Sequence, residues 1–212
     1  MRLRRTLPTG AYLLRLGVLG GTFDPIHFGH LLAAEEARVT LGLERVLFAP
    51  AGDPPHKQGH VISPITHRLA MVRLAIADNP AFAVTTVDTD RPGPHYTVDA
   101  VRLLREEWGT GADETFFLMG ADSLTQLLTW HQPARLVELC RLAVMARPGY
   151  RPDLAGLEAA LPNLAARLDW VEMPVLDIAA SDLRRRVRQG RSIRYQVPEA
   201  VAAYVAEHAL YR

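Results

Sequence analysis

Cysteine is nearly absent from the sequence, which contains a single one, Cys140. One thiol cannot form a disulfide within the chain, and so little cysteine is typical of proteins from a reducing compartment. We therefore predict a cytoplasmic protein. Because most of the residues around Cys140 are apolar, we expect a buried, inert thiol rather than a nucleophile.

Long hydrophobic runs and an excess of charge of one sign are also missing. No apolar run approaches the roughly 20 residues that a membrane-spanning helix needs, and the net charge is only +1. From these absences we expect neither a membrane nor a nucleic acid as partner. The composition is compatible with a monomer and with a homo-oligomer.

The N-terminal residues 1–14 have the basic and apolar composition of a signal peptide, but Arg15 interrupts the apolar run. We expect them to form a loosely ordered extension. Residues 15–212 contain no evident linker, and their length is sufficient for one sizeable core. We therefore predict a single domain over residues 15–212.

Glycine and histidine are concentrated in residues 20–30, which read Gly-Gly-Thr-Phe-Asp-Pro-Ile-His-Phe-Gly-His. The apolar run 16–19 before them predicts a buried strand, and the strong helix formers of 31–38 predict a helix. The stretch therefore lies on a strand-to-helix turn. Gly20 and Gly21 allow the backbone to approach a ligand closely, and a helix entrance offers free N–H groups that bind phosphate.

His27 and His30 give this turn its chemistry. If the helix begins near Phe28, both imidazoles flank its first turn and can point at one phosphate. Metal ligation is an alternative, but no third ligand or cysteine cluster lies nearby in the sequence, so no metal site is predicted. A role in capping the helix or shaping the loop is the other alternative. The density of the motif favours a nucleotide-phosphate site.

Strand patterns alternate with helix patterns along the rest of the chain. This alternation predicts an α/β fold with a doubly wound parallel sheet and helices on both faces. Ligands of such sheets bind beyond the carboxyl ends of the strands, so motifs that follow strands are expected to share one cleft. The predicted strands are 16–19, 45–49, 82–87, 115–119, 142–146 and 169–173. The predicted helices are 28–38, 64–77 with Ser63 as N-cap, 97–108, 122–128, 133–139, 154–168, 181–189 and 198–208.

A proline-rich loop, residues 50–57, follows the second predicted strand. Its prolines stiffen the chain and present His56 and Lys57 at the end of the loop. A lysine there can serve as a point charge for phosphate, and an exposed surface loop is the alternative. For His67 and Arg68, in the next helix, the sequence leaves open direct contact with a ligand, a solvated first turn or a structural ion pair.

Two later motifs combine a helix start with aromatic residues. Thr97 is the predicted N-cap of a helix whose free N–H groups can receive a carboxylate, and Tyr96 precedes it. Gly120 leaves room for a nucleoside, and Asp122 can accept from ribose hydroxyls or cap a helix. Trp130 can stack on a flat cationic ring. For Tyr96 and Trp130, packing in the core is the alternative.

The last motif opens a helix near Ser181. The free N–H groups of that helix can hold phosphate oxygens, and Arg184 can clamp them further. Three other arginines of the same helix are expected to form a solvated basic face; they are Arg185, Arg186 and Arg188.

Residues 20–30 resemble the signature of the nucleotidyltransferase superfamily with the His-x-Gly-His motif. Within that superfamily the chain is similar to the bacterial nicotinate-nucleotide adenylyltransferase family. The similarity continues in Pro-Pro-His-Lys at 54–57, Tyr-Thr at 96–97, Gly-x-Asp-Ser at 120–123 and Thr-Trp at 129–130. It implies a Rossmann-like fold whose C-terminal helices close the site. Ala179 and Ala180 stand where the family pattern has two serines, so two hydroxyl donors are lost.

The resemblance also implies roles for individual residues. The implied catalytic residues are His27, His30, Lys57 and Arg184. The implied ATP-binding residues are Gly20, Gly21, Thr22, Phe23, His27, His30, Gly120, Asp122, Ile178, Ser181 and Arg184. The implied mononucleotide-binding residues are Thr22, His56, Lys57, Tyr96, Thr97 and Trp130.

The reaction implied by the resemblance transfers AMP from ATP to nicotinate mononucleotide, a step of NAD biosynthesis. Its products are nicotinate adenine dinucleotide and pyrophosphate, and Mg²⁺ is expected to arrive with ATP. Alternatives within the superfamily use nicotinamide mononucleotide or phosphopantetheine as the acceptor. Alternatives from other classes are a nucleotide-binding regulator without activity and an RNA-binding protein that uses the arginines of residues 184–194. The near-neutral net charge disfavours RNA binding.

Overall fold

The structure is a computed structural model that describes residues 14–52, 62–146 and 152–212. The expected N-terminal extension lies outside these residues except for Leu14. Six parallel strands form one sheet in the described part of the chain: β1 (Leu16–Gly21), β2 (Arg45–Pro50), β3 (Phe82–Val84), β4 (Thr115–Gly120), β5 (Arg141–Met145) and β6 (Leu168–Val171). Their order across the sheet is β3-β2-β1-β4-β5-β6. This arrangement confirms the predicted parallel α/β fold.

Helices cover both faces of the sheet. They are α1 (Phe28–Leu41), α2 (Ile65–Ala75), α3 (Thr97–Trp108), α4 (Ala121–Thr125), α5 (Pro133–Leu139), α6 (Leu154–Ala160), α7 (Leu164–Arg167), α8 (Ala180–Arg188) and α9 (Glu199–Glu207). One buried cluster joins the sheet to α1, α2, α8 and α9, and a second joins it to α3 through α7. Among the described residues, no helix has both the length and the apolar character needed to span a membrane.

Alternating side chains of each central strand supply the two clusters. In β4, Phe116 and Leu118 belong to the first cluster, whereas Phe117 and Met119 belong to the second. This period of two is the expected consequence of strand geometry, and both faces are apolar because both are covered. Cys140 lies in the second cluster, where burial raises the pKa of its thiol to about 12, which agrees with the predicted inert thiol.

The start of α2 differs from the prediction by one residue. Pro64 is the N-cap and the helix begins at Ile65, so Ser63 is not the cap. The N–H group of Ser63 donates to Asp24 Oδ2 at 3.1 Å, and its carbonyl accepts from Arg68 Nε at 3.0 Å. The backbone of Ser63 is therefore held by tertiary partners, which override its local capping preference.

Other elements also differ from the prediction; for example, the helix expected over 122–128 ends at Thr125 and the strand expected over 169–173 ends at Val171. Tyr96 is the N-cap of α3 and Thr97 is its first residue. The single helix expected over 154–168 is instead the pair α6 and α7, because Pro162 lies between them and cannot donate a helical hydrogen bond. The third strand stops at Val84, three residues earlier than predicted.

The order of the strands determines where a ligand can bind. The chain leaves β1 to form α1 on one face, and it leaves β4 to form α4 on the other face. Because β1 and β4 are neighbours, a crevice opens between their carboxyl ends, at the topological switch point of the sheet. Residues 20–30 and 120–122 both lie at this crevice.

Candidate active site

A cleft of about 840 Å³ lies at the carboxyl ends of β1 and β4. It extends from the entrance of α1 to the entrance of α3, and residues 173–179 also line it. Eleven of the proposed site residues line it: Gly20, Gly21, Thr22, His27, His30, Tyr96, Thr97, Gly120, Asp122, Trp130 and Ile178. The structure thus gathers motifs from four parts of the chain into one cleft. His56 and Lys57 lie outside the described residues.

His27 occupies the entrance of α1 as its N-cap residue, and the helix begins at Phe28 as predicted. The side chain is only 7% exposed. This burial lowers the pKa of the His27 imidazole to about 4, so the ring is neutral at physiological pH. Its Nδ1 atom is buried and has no hydrogen-bond partner in the described part of the chain. A buried polar atom without a partner is unusual and is typical of functional positions.

His30 lies directly against His27, as the spacing of the two residues predicts. The ring centroids are 3.8 Å apart and the planes are nearly parallel, at 26°. His30 Nδ1 accepts a hydrogen bond from the backbone N–H of His27 at 3.3 Å. Because its Nδ1 is an acceptor, the neutral His30 ring carries its proton on Nε2, the nitrogen that can donate to a ligand.

Glycine at position 29 leaves space for the His27 ring, which a larger residue would displace. A Cβ atom on Gly29 would be 3.0 Å from His27 Nδ1 and 3.1 Å from His27 Cε1. These separations are shorter than ordinary van der Waals contact. The glycine between the two histidines therefore provides space for an imidazole rather than freedom for the backbone.

Phe23 shapes the loop from beneath rather than lining the cleft. Its ring is 1% exposed, packs on Phe48 and meets His30 edge-on at 5.0 Å. Its backbone is left-handed, with φ of 50°. A Cβ on Gly21 would lie 3.0 Å from this ring. Phe23 therefore determines the backbone shape of the loop and supports the His30 ring.

The other end of the cleft is aromatic. The rings of Tyr96 and His131 stack at 4.0 Å and 22°, and Trp130 meets Phe117 edge-on at 5.8 Å. Thr97 opens α3 beside them, so the unpaired N–H groups of that helix entrance face the same region. This end can accept a flat ring and an anionic group together.

Arg68 has a structural role that differs from the three alternatives left open by the sequence. It contacts no ligand surface and forms no solvated turn, because it is 2% exposed. Its guanidinium instead donates to four backbone carbonyl oxygens, at 2.8 to 3.2 Å. Those carbonyls belong to Thr22, Ala51, Gly52 and Ser63. Arg68 thereby joins the loop after β1 to the segments on both sides of residues 53–61.

His67, beside it, turns the other way. Its Nδ1 atom lies 2.9 Å from the hydroxyl of Tyr204 on α9. His67 therefore connects two helices instead of contacting the cleft. Among the described residues, neither His67 nor Arg68 forms the structural ion pair that the sequence left open.

Ser181 and Arg184 do not line the cleft in this structure. Ser181 is exposed in the first turn of α8, whose N-cap is Ala179. The Arg184 Nη1 atom donates to the carbonyl oxygen of Asp24 at 2.6 Å. Arg184 is therefore held beside the loop after β1, at Asp24, which precedes His27 by three residues. Within residues 14–52, 62–146 and 152–212, no group of three or more His, Cys, Asp or Glu side chains is arranged to bind a metal ion.

The fold and the histidine pair at its switch point define a class of nucleotidyltransferases. A family model described as cytidylyltransferase-like matches residues 18–186. Curated relatives refine the assignment. A "probable nicotinate-nucleotide adenylyltransferase" of Thermomicrobium roseum is 56% identical over 93% of this chain and 92% of its own length. One of Roseiflexus is 51% identical over 93% of this chain and 98% of its own length.

The chain therefore belongs to the nicotinate-nucleotide adenylyltransferase family of this class. Solved structures support the fold. The nicotinic acid mononucleotide adenylyltransferase of Plasmodium falciparum complexed with NaAD matches with a TM-score of 0.76. It is 16% identical, and the match covers 93% of this chain and 97% of that one.

Proposed function

We propose that this protein transfers AMP from ATP to nicotinate mononucleotide and releases pyrophosphate. The observation that carries the proposal is the His27–His30 pair, stacked at the entrance of α1 in a cleft whose far end is aromatic. One end suits phosphates and the other suits a flat ring with a carboxylate. The names of the relatives support this reading.

The chemistry needs positioning more than proton transfer. The acceptor's phosphate oxygen is already a nucleophile, so it attacks the α-phosphorus in line without a general base. The bond from that phosphorus to the bridging oxygen breaks, and the pair of electrons leaves with pyrophosphate. His27 and His30 donate to the α-phosphate oxygens as negative charge builds there. Holding both substrates in one cleft supplies much of the acceleration.

The remaining groups hold the two substrates. At the aromatic end, Trp130 and Tyr96 contact the pyridine ring, and the entrance of α3 at Thr97 receives its carboxylate. Gly120 and Asp122 border the nucleoside of ATP. ATP enters as its Mg²⁺ complex, since Mg²⁺ keeps several waters and relies on substrate phosphates. From the sequence we also assign His56 and Lys57 to substrate phosphates.

The first test is pyrophosphate release from MgATP with three acceptors in parallel: nicotinate mononucleotide, nicotinamide mononucleotide and phosphopantetheine. We expect the fastest release with the nicotinate compound. A faster reaction with either other acceptor would contradict the proposed substrate, and no release with any acceptor would contradict the reaction itself.

The second test replaces His30 by alanine. We expect kcat to fall about 10²- to 10³-fold, the range observed when one donor to a developing charge is removed. The matched control is His208→Ala, because His208 is exposed and packs on Tyr204, away from the cleft. Equal turnover by the two variants would exclude His30 from catalysis.

A further inference from the structure

We propose that Tyr211, beyond the end of α9, is a positioning residue for the phosphate end of the active site. It acts through Asp24, whose carbonyl oxygen holds the side chain of Arg184. The inference rests on the proposed function, because it takes the departing pyrophosphate of that reaction as the ligand of Arg184. It assigns a role to a residue that lies in none of the motifs.

The side chain of Tyr211 reaches the loop after β1 from the opposite end of the chain. Its hydroxyl donates to Asp24 Oδ1 at 2.7 Å and lies 3.9 Å from Met71 Sδ. Burial, with help from the neighbouring carboxylate, raises the pKa of Tyr211 well above its ordinary value, so the hydroxyl stays a donor. Ala209 and Tyr211 both have left-handed backbones, with φ of 49° and 66°. Such non-glycine conformations persist where surrounding contacts impose them.

Asp24 uses each of its acceptor groups for a different part of the chain. Its side chain is buried, with only 2% exposed. One carboxylate oxygen accepts from Tyr211, and the other accepts from the N–H of Ser63 at 3.1 Å. The carbonyl oxygen accepts from Arg184 at 2.6 Å. A carboxylate held on both oxygens fixes the backbone that carries this carbonyl.

The bond to Asp24 fixes the position of the Arg184 side chain, while the guanidinium keeps its positive charge and further N–H donors for a ligand. A single nitrogen, Nη1, is engaged by Asp24, whereas a guanidinium has five N–H donors. Arg184 does not itself line the cleft, so the donors that remain can reach only phosphate oxygens that extend to the loop before His27. Removal of the Tyr211 hydroxyl leaves a buried carboxylate oxygen without a donor, and the carboxylate then reorients toward other partners. The carbonyl of Asp24, and with it Arg184, loses its fixed position.

The test compares Tyr211→Phe with Tyr195→Phe. Both substitutions remove one hydroxyl and keep the ring, but Tyr195 is 82% exposed. For Tyr211→Phe we expect kcat to fall about tenfold and KM for nicotinate mononucleotide to change less than twofold, because the aromatic end of the cleft is untouched. Tyr195→Phe is expected to match the wild type.

A double-mutant cycle with Arg184→Ala distinguishes positioning from anchoring. If Tyr211 acts through Arg184, Tyr211→Phe has no further effect on kcat in the Arg184→Ala background. A full tenfold loss in that background would overturn the proposal. Wild-type kcat in Tyr211→Phe, measured below the melting temperatures of both proteins, would also overturn it and leave Tyr211 as an anchor of the fold.

The same cycle can be measured through ligand affinity instead of kcat. Binding of a non-hydrolysable ATP analogue to the four proteins, measured by calorimetry, reports whether Tyr211 and Arg184 are coupled at the triphosphate. Coupled losses of affinity in a protein that releases no pyrophosphate would refute the proposed reaction and retain the positioning role. Additive losses would refute the positioning role alone.

Discussion

Substitution of Gly29 by alanine is expected to separate activity from stability. The new Cβ would lie 3.0 Å from His27 Nδ1, against an optimal separation of about 3.5 Å, so the ring must retreat by about 0.5 Å. The stacked ring of His30, 3.8 Å away, must then adjust as well. A misplacement of 1 Å in a catalytic site can cost 10²-fold, and half of that displacement predicts a loss of about tenfold in kcat.

The same change is expected to leave the fold intact. Gly29 lies in the first turn of α1, where alanine is the better helix former by up to about 1 kcal/mol. The melting temperature should therefore stay constant or rise by up to roughly 4 °C. Steady-state pyrophosphate release and thermal unfolding, measured on the same preparation, test both halves of the prediction.

Gly109→Ala is the matched control because it should show the opposite pattern. Gly109 ends α3 with φ of 63°, and a Cβ there would meet no atom within 4 Å. Alanine at this position is strained by about 1 kcal/mol, so the melting temperature should fall while kcat is retained. If Gly29→Ala instead keeps the wild-type kcat, the position of the His27 ring does not matter for the reaction and the reasoning fails.

Three further predictions follow from buried polar groups. The pKa of His27 is about 4 in the folded protein and 6.5 in the unfolded chain, so the unfolded chain binds more protons between these pH values. The free energy of unfolding should therefore fall as the pH falls from 6.5 to 4, by up to about 3 kcal/mol. His27→Asn should flatten this part of the pH profile measured by urea unfolding. Arg68→Met leaves four backbone carbonyls without their donor, so the free energy of unfolding should fall by at least about 3 kcal/mol. This loss corresponds to a melting temperature lower by roughly 6–12 °C. The control Arg73→Met, on the exposed face of the same helix, should change the melting temperature little. Cys140 is fully buried, so a thiol reagent should modify it only after denaturant is added, and rapid labelling of the native protein would contradict the described core.

The elements that sequence reasoning predicted best are those whose signal is local. The strand-turn-helix of residues 16–38 combines an apolar run, paired glycines and strong helix formers, and the structure places each where the pattern indicated. The expected proximity of His27 and His30 also depends only on helical spacing. The shared cleft followed from a general property of parallel sheets, namely that their carboxyl ends meet at one edge.

The features that were missed depend on partners far away in the sequence. Ser63 has the composition of an N-cap, but its backbone is held by Asp24, 39 positions away. Arg68 looks like a surface arginine because its four acceptors are backbone carbonyls, which have no residue-specific signature. Phe23 belongs to a motif for which the sequence predicts ligand binding, yet its ring faces the core. No local pattern contains this information.

The hydrogen bonds of Asp24 also affect when the loop before His27 can fold during synthesis. They join this residue to Arg184 and Tyr211, which are 160 and 187 positions further along the chain. During synthesis the histidine motif leaves the ribosome well before two of the groups that hold its loop. Such distant contacts form slowly because the closure of a long loop must precede them. The loop before His27 should therefore reach its final position late in folding.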